Sequence, residues 1–153
     1  MAEWLQDVEG LTLEGQIKVP YTWSVGEVGS RFLVALRDEK KILGNRCSGC
    51  NMVYVPPRRN CGTCFKDIDE NGWLEVGDEG EVTAFTVVRY AYPLQPAEVP
   101  FAYAIIKLDG ADVGFLHIIK EDLEKLHHGT RVKARFSEDR HAHILDIDSF
   151  VII

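Results

Sequence analysis

Residues 47–64 read CSGCNMVYVPPRRNCGTC, which places Cys47 and Cys50 ten residues ahead of Cys61 and Cys64. Two C-x2-C pairs this close can set four thiolates around one tetrahedral cation, at ~2.3 Å for zinc, with no coordination position left over. The gap of ten suits two knuckles on facing short hairpins, a rubredoxin-like zinc ribbon holding one structural Zn2+ per chain. Rubredoxin-like iron and unmetallated, redox-active thiols are the alternatives. Because four thiolates close the shell, no water can be activated, so the centre is expected to be structural. Its work is folding: a segment too short to bury its own core gains on the order of 10 kcal/mol from the metal. Between the pairs, Val53, Tyr54 and Val55 suit a short strand, and Pro56 and Pro57 hold the backbone extended up to Arg58 and Arg59.

Disulfides are the other use of paired cysteines. The opening residues, MAEWLQDVEGLTLEG, are acidic and lack the basic-then-apolar order of an export signal. The chain is therefore expected in the reducing cytoplasm, where such pairs seldom stay oxidised. Its 153 residues, 46% apolar and 27% charged, have globular composition, and no run approaches the ~18 apolar residues of a membrane span. Seventeen basic against 24 acidic residues give −7, the wrong sign for binding duplex nucleic acid or a membrane surface. The cysteine region is the exception. Lys41, Arg46, Arg58, Arg59 and Lys66 meet no acidic residue between 41 and 66, which leaves −12 on the rest of the chain. A closed four-thiolate zinc centre carries about −2, so these cations either screen it or form a small patch for anions such as coenzyme phosphates.

Upstream, residues 24–40 have helical spacing, with Val25, Val28, Phe32, Leu33 and Leu36 recurring at three and four. Ser24 and Glu27 read as an N-cap and capping box. Gly26 and Gly29 weaken the first turn, which leaves 30–38 as the firm part. Such an amphipathic helix docks either on the neighbouring domain or on another chain, and another chain is the expectation here. Downstream, 81–90, 101–108, 113–120, 131–136 and 142–151 are rich in β-branched and aromatic residues, with a short helical piece at 121–127. Five strands with one helix between the third and fourth follow the order of an OB-fold barrel. The fold class is therefore mainly β: an N-terminal extension and partner-docking helix over 1–40, the zinc ribbon over 41–72, and a five-stranded OB-fold barrel over 73–153.

Within the barrel, Arg131, Lys133 and Arg135 alternate with apolar residues, either as a solvated outer face or as a stripe that meets phosphates. The proline-rich loop at 93–100 is stiff, as suits a segment facing a partner or covering a cavity. The apolar end, Phe150 to Ile153, reads as partly buried. His117, His127, His128, His141 and His143 are scattered, and His117 reads as a satisfied barrel residue. No nucleophile elbow, phosphate loop or dinucleotide fingerprint occurs, and every cysteine belongs to the metal cluster. No catalytic residues are assigned.

Taken in order, RFLVALRDEKKILGNRC, VYVPPRRNCGTC, WLEVGDEGEVTAFTVV, VPFAYAIIKLDG and GTRVKARF resemble the zinc-ribbon plus OB-fold family known as domain of unknown function 35. The resemblance runs from about Gly29 to the end. The family commonly has Cys-Gly closing each knuckle and Cys-Pro opening the second, where this chain has Cys50-Asn51, Cys64-Phe65 and Cys61-Gly62. Asn tolerates a left-handed backbone and Phe65 does so less easily, which leaves the second knuckle's geometry open. The resemblance implies a non-catalytic companion of a thiolase-fold or hotdog-fold enzyme acting on acyl-CoA. It would form a hetero-oligomer, a dimer of heterodimers, with a thiolase-fold subunit whose own cysteine and histidines perform Claisen or retro-Claisen chemistry. Substrates across such relatives run from benzoylsuccinyl-CoA of anaerobic toluene breakdown to ketoacyl-CoA, sterol side-chain and isoprenoid intermediates. Arg58, Arg59, Arg131, Lys133 and Arg135 are the cations expected at CoA phosphates, at a site shared with the partner or in a stand-alone acyl-CoA carrier. A barrel for single-stranded nucleic acid is a third reading, against which the net charge speaks.

Overall fold

The structure, a computed structural model, describes residues 10–15 and 19–153. Most of the acidic opening read for the absence of an export signal, residues 1–9, lies outside the described residues. Helix α1 (Gly26–Glu39) leads into strand β1 (Ile42–Arg46), the middle of a three-stranded antiparallel sheet with β2 (Val53–Tyr54) and β3 (Trp73–Val76) on its edges. No described helix is long and apolar enough to cross a membrane.

Helix α1 starts two residues later than its spacing suggests, and its capping box does not form. Gly26 is left-handed, at φ 71, so the Ser24 hydroxyl reaches only the Gly26 N–H, at 3.1 Å, and the N-cap falls on Val25 without a side-chain bond. At the other end Lys40 is left-handed, Lys41 N–H returns to Ala35 O at 3.3 Å, and Arg140 Nε donates to Arg37 O at 2.6 Å. The apolar stripe expected to meet another chain is instead used within this one. Phe32, Ala35 and Leu36 are buried, and Phe32 and Leu36 share one cluster with Ile42, Val55 and barrel residues such as Phe150. That face is covered by β1 and by the turn at 144–146, about a hundred residues further on, which spacing alone could not reveal.

Strands β4 (Glu79–Val88), β5 (Phe101–Leu108), β6 (Phe115–Ile119), β7 (Arg131–Phe136) and β8 (Ile147–Ile152) close into a barrel in the order β4-β5-β6-β8-β7, an OB-fold. All pairs are antiparallel except β6 with β8, joined at Ile119 and Phe150. Alternation decides the inside: β5 buries Ala102, Ala104, Ile106 and Leu108 and turns Ile105 and Lys107 outwards. Between β6 and β7 the helical piece read at 121–127 is only a 3-10 turn, Leu123–Lys125, because Asp122 enters it left-handed and Gly129, at φ 86, leaves it. The last strand starts at Ile147 rather than 142. Asp146 accepts the N–H groups of His141 and His143 and fixes a short turn there. The apolar end is partly inside, as read: Phe150 is fully buried and Ile153 is exposed.

His117 lies in the barrel between Phe115 and Phe150, with ring centroids 5.7 and 5.5 Å away. Its Nε2 meets Ile144 O at 3.3 Å, and the buried Nδ1 has no partner, so the residue is only half satisfied. Burial holds its pKa below the ordinary histidine value, despite its bond to Ile144. The unfolded chain therefore binds this proton more readily than the folded one. Its contribution is fully present above the unfolded pKa of ~6.5 and is lost as pH falls through it. The melting temperature should drop between pH 7 and 5, and less so in His117→Leu. An equal drop in both proteins would contradict the assignment.

Candidate metal centre

The two cysteine turns are built alike. In the first, Asn51 N–H bonds Cys47 O at 2.8 Å and Cys47 N–H bonds Met52 O at 2.9 Å. In the second, Phe65 N–H bonds Cys61 O at 3.1 Å and Cys61 N–H bonds Lys66 O at 2.8 Å. Amides point at sulfur in both: Gly49 to Cys47 Sγ at 3.3 Å, and Thr63 and Cys64 to Cys61 Sγ at 3.3 and 3.4 Å. The four Sγ atoms lie within 4.8 Å of one another, with Cys47 to Cys64 and Cys50 to Cys61 both at 3.4 Å. A disulfide would need ~2.05 Å, and the four are free thiols. Thiolates ~2.3 Å from a tetrahedral ion stand about 3.8 Å apart. The four cysteines could therefore hold one metal ion, and the donor set and spacing fit it.

Residues outside the spacing motif complete the centre. Tyr54, buried on β2, accepts Gly62 N–H at 3.1 Å and places its hydroxyl 3.2 Å from Cys61 Sγ and 3.1 Å from Thr63 Oγ1. That hydroxyl is the first cause drawing the Cys61 thiol down to about 5; burial opposes it, and the N–H groups of Cys64 and Thr63 assist. Thiolate is the ligand form. Asn45, buried on β1, donates Nδ2 to Arg58 O at 2.6 Å and accepts Arg58 N–H at 3.0 Å, which pins the Pro56-Pro57-Arg58 segment over the sheet. From the barrel, Asp112 accepts Val53 N–H at 2.8 Å and donates its own N–H to Val53 O at 3.0 Å. Sequence reasoning passed over all three. Asn45, a lone amide on a strand leading into Cys47, was the one available signal; Asp112 acts from 59 residues away.

The cations are divided between two regions. Arg58 and Arg59 are exposed on the ribbon loop, with the Arg58 guanidinium 5.3 Å over the Tyr54 ring. Arg131, Lys133 and Arg135 lie on β7 and are already engaged by carboxylates. Arg131 makes two bonds to Asp109, at 2.8 and 2.6 Å; Lys133 meets Glu79 at 3.1 Å; Arg135 meets Glu121 at 2.8 Å and Asp148 at 3.3 Å. A phosphate arriving there would compete with these partners. Lys41 likewise spans Glu39 and Glu75.

Residues 73–137 match the family described as ChsH2, C-terminal OB-fold domain. The barrel is of the ChsH2 (DUF35) OB-fold type. It is 26% identical over 101 residues to a DUF35 domain-containing scaffold protein of Methanocaldococcus jannaschii, covering 66% of this chain and 71% of that one. A solved DUF35-family protein of unknown function from Sulfolobus solfataricus is 26% identical with a TM-score of 0.58, covering 71% and 78%. The solved Ltp2-ChsH2(DUF35) aldolase gives a TM-score of 0.60 at 17% identity, covering 86% and 95%, a likeness of fold. In this chain Asn51 and Phe65 occupy the knuckle positions that need a left-handed backbone, at φ 62 and 60. Phe65 accepts that conformation with its ring 82% exposed, at a cost of ~1–2 kcal/mol, and the two knuckles match.

Proposed function

We propose that this chain is a non-catalytic accessory subunit that scaffolds an enzyme complex of the thiolase or aldolase type. The observation that carries the reading is the fold shared over 86% of the chain with the Ltp2-ChsH2(DUF35) aldolase. The scaffold protein of M. jannaschii supports it. So does a metal site whose four thiolates leave no open position for chemistry. In the finer form of the proposal, the metal is zinc and the partner is a thiolase-fold subunit in a dimer of heterodimers. The substrate is an acyl-CoA cleaved by retro-Claisen chemistry, with benzoylsuccinyl-CoA as the specific candidate, and the complex works in the cytoplasm.

One surface suits a partner. The loop after β4 exposes Tyr90, Tyr92 and Leu94. Gln95 braces it by accepting Tyr92 N–H and donating to Tyr90 O, both at 2.9 Å. Braced aromatic residues lose little entropy on contact and are frequent anchors of interfaces. Native mass spectrometry of the protein, purified from its source without denaturation, should find one zinc per chain within an assembly that contains a thiolase-sized subunit. A zinc-bearing monomer or homo-oligomer would overturn the accessory reading.

A further inference from the structure

The four sulfurs are not equivalent. Backbone amides reach Cys47 and Cys61 in both knuckles, but Cys61 is also met by a side-chain oxygen, the Tyr54 hydroxyl at 3.2 Å. Among the described residues no other side-chain oxygen or nitrogen bonds any of the four. A count of protons gives the direction of that bond. Tyr54 is 3% exposed, and its oxygen accepts the Gly62 N–H at 3.1 Å. Its single proton can go to Cys61 Sγ or to Thr63 Oγ1, 3.1 Å away. A metal-binding thiolate has no proton and can only accept, whereas the exposed Thr63 hydroxyl can turn and donate to Tyr54. The Tyr54 proton therefore belongs on the sulfur, and a hydrogen bond to an ionised acceptor is the stronger of the two.

We propose that Tyr54, backed by Arg58, is a positioning residue that makes Cys61 the anchoring ligand of the metal and takes up part of the centre's negative charge. Four thiolates around a divalent ion leave about −2. A hydrogen bond to one sulfur drains charge from it, and such outer contacts set both the affinity for the metal and its electronic properties. Arg58 acts from behind the phenol. Its guanidinium lies 5.3 Å over the Tyr54 ring, where a cation draws charge from the ring and strengthens the O–H as a donor. Asn45 holds it there by bonding both the N–H and the carbonyl of Arg58. Gly62 keeps the space open: a Cβ at that position would stand 3.2 Å from Arg58 Nη1 and 3.7 Å from the Tyr54 oxygen. Arg58 is thereby assigned to screening the centre rather than to a coenzyme phosphate. The inference goes beyond the accessory-subunit reading and does not depend on it; it needs only the four cysteines to hold a metal ion.

The test loads the full chain with Co2+ and with Zn2+. Tyr54→Phe keeps the ring and removes the hydroxyl alone. It should lower the affinity for both ions ~10–100-fold in competition with a chelator. It should also move the thiolate-to-cobalt absorption bands to longer wavelength, because a sulfur that has lost a hydrogen bond gives up its electrons more easily. Arg58→Gln should move both readouts the same way by less, and Arg58→Lys, which keeps the cation, by less again. Arg59→Gln and Thr63→Val should leave the bands in place. Weaker binding with unmoved bands in Tyr54→Phe would reduce Tyr54 to a packing residue and overturn the proposal. So would a Tyr54→Phe protein that matches the wild type in both readouts. A move to shorter wavelength in Thr63→Val would place the Tyr54 proton on Thr63 in the wild type, and the assignment would fall. If the wild type binds neither ion, the metal centre falls with it, whatever native mass spectrometry shows of a partner.

Discussion

Cys61→Ser should abolish metal binding by the four cysteines, zinc in the proposed form, and unfold the ribbon. Cys61 is buried, receives the Thr63 and Cys64 amides and the Tyr54 hydroxyl, and lies 3.4 Å from Cys50. A serine oxygen is a harder, less acidic donor on a shorter bond, so the closed thiolate shell cannot be rebuilt with it. Metal binding to such a centre contributes on the order of 10 kcal/mol, comparable to the whole stability of a domain. The small sheet holds only five, two and four residues in its strands. Loss should not stop at the knuckles, because Ile42, Val53, Val55 and Val76 belong to the same cluster as the barrel interior. Metal analysis and a circular-dichroism melt of the variant are the measurements. A serine variant with full metal content and an unchanged melt would mean that the four cysteines do not act as one ligand set.

Leu36→Ala should cost ~2–5 kcal/mol, since Leu36 is fully buried and its removal leaves a cavity between α1 and the rest of the core. For a chain of this size that corresponds to a fall of roughly 5–15 °C in melting temperature. Val34→Ala, on the exposed face of the same helix, should stay within ~0.5 kcal/mol. The contrast shows that the apolar face of α1 is part of the fold. Near-equal effects of the two substitutions would show that α1 does not pack as described.

The cysteine spacing and the strands at 101–108 and 131–136 were legible because both signals are local: ligands three apart in each pair, and runs rich in β-branched and aromatic residues bounded by Asp109-Gly110 and Gly129-Thr130. The same locality explains the failures. The start of β8 depends on Asp146 collecting two amides, and the start of α1 on the sign of one glycine φ, which the amphipathic pattern does not carry. Which neighbour covers the apolar face of α1 is a tertiary matter. So is the support of the metal centre, where Asn45 and Asp112 bond backbone 13 and 59 residues away. The stripe of Arg131, Lys133 and Arg135 looked free because its carboxylate partners come from four other segments.

The bond from Arg140 to Arg37 O spans 103 residues. During synthesis the guanidinium that secures the last turn of α1 follows that turn by 103 residues. The barrel has the same property, since β4 must wait for β7. Contacts between such distant segments are of the kind that slow folding. A nascent chain halted before residue 140 should therefore hold neither a finished helix end nor a closed barrel.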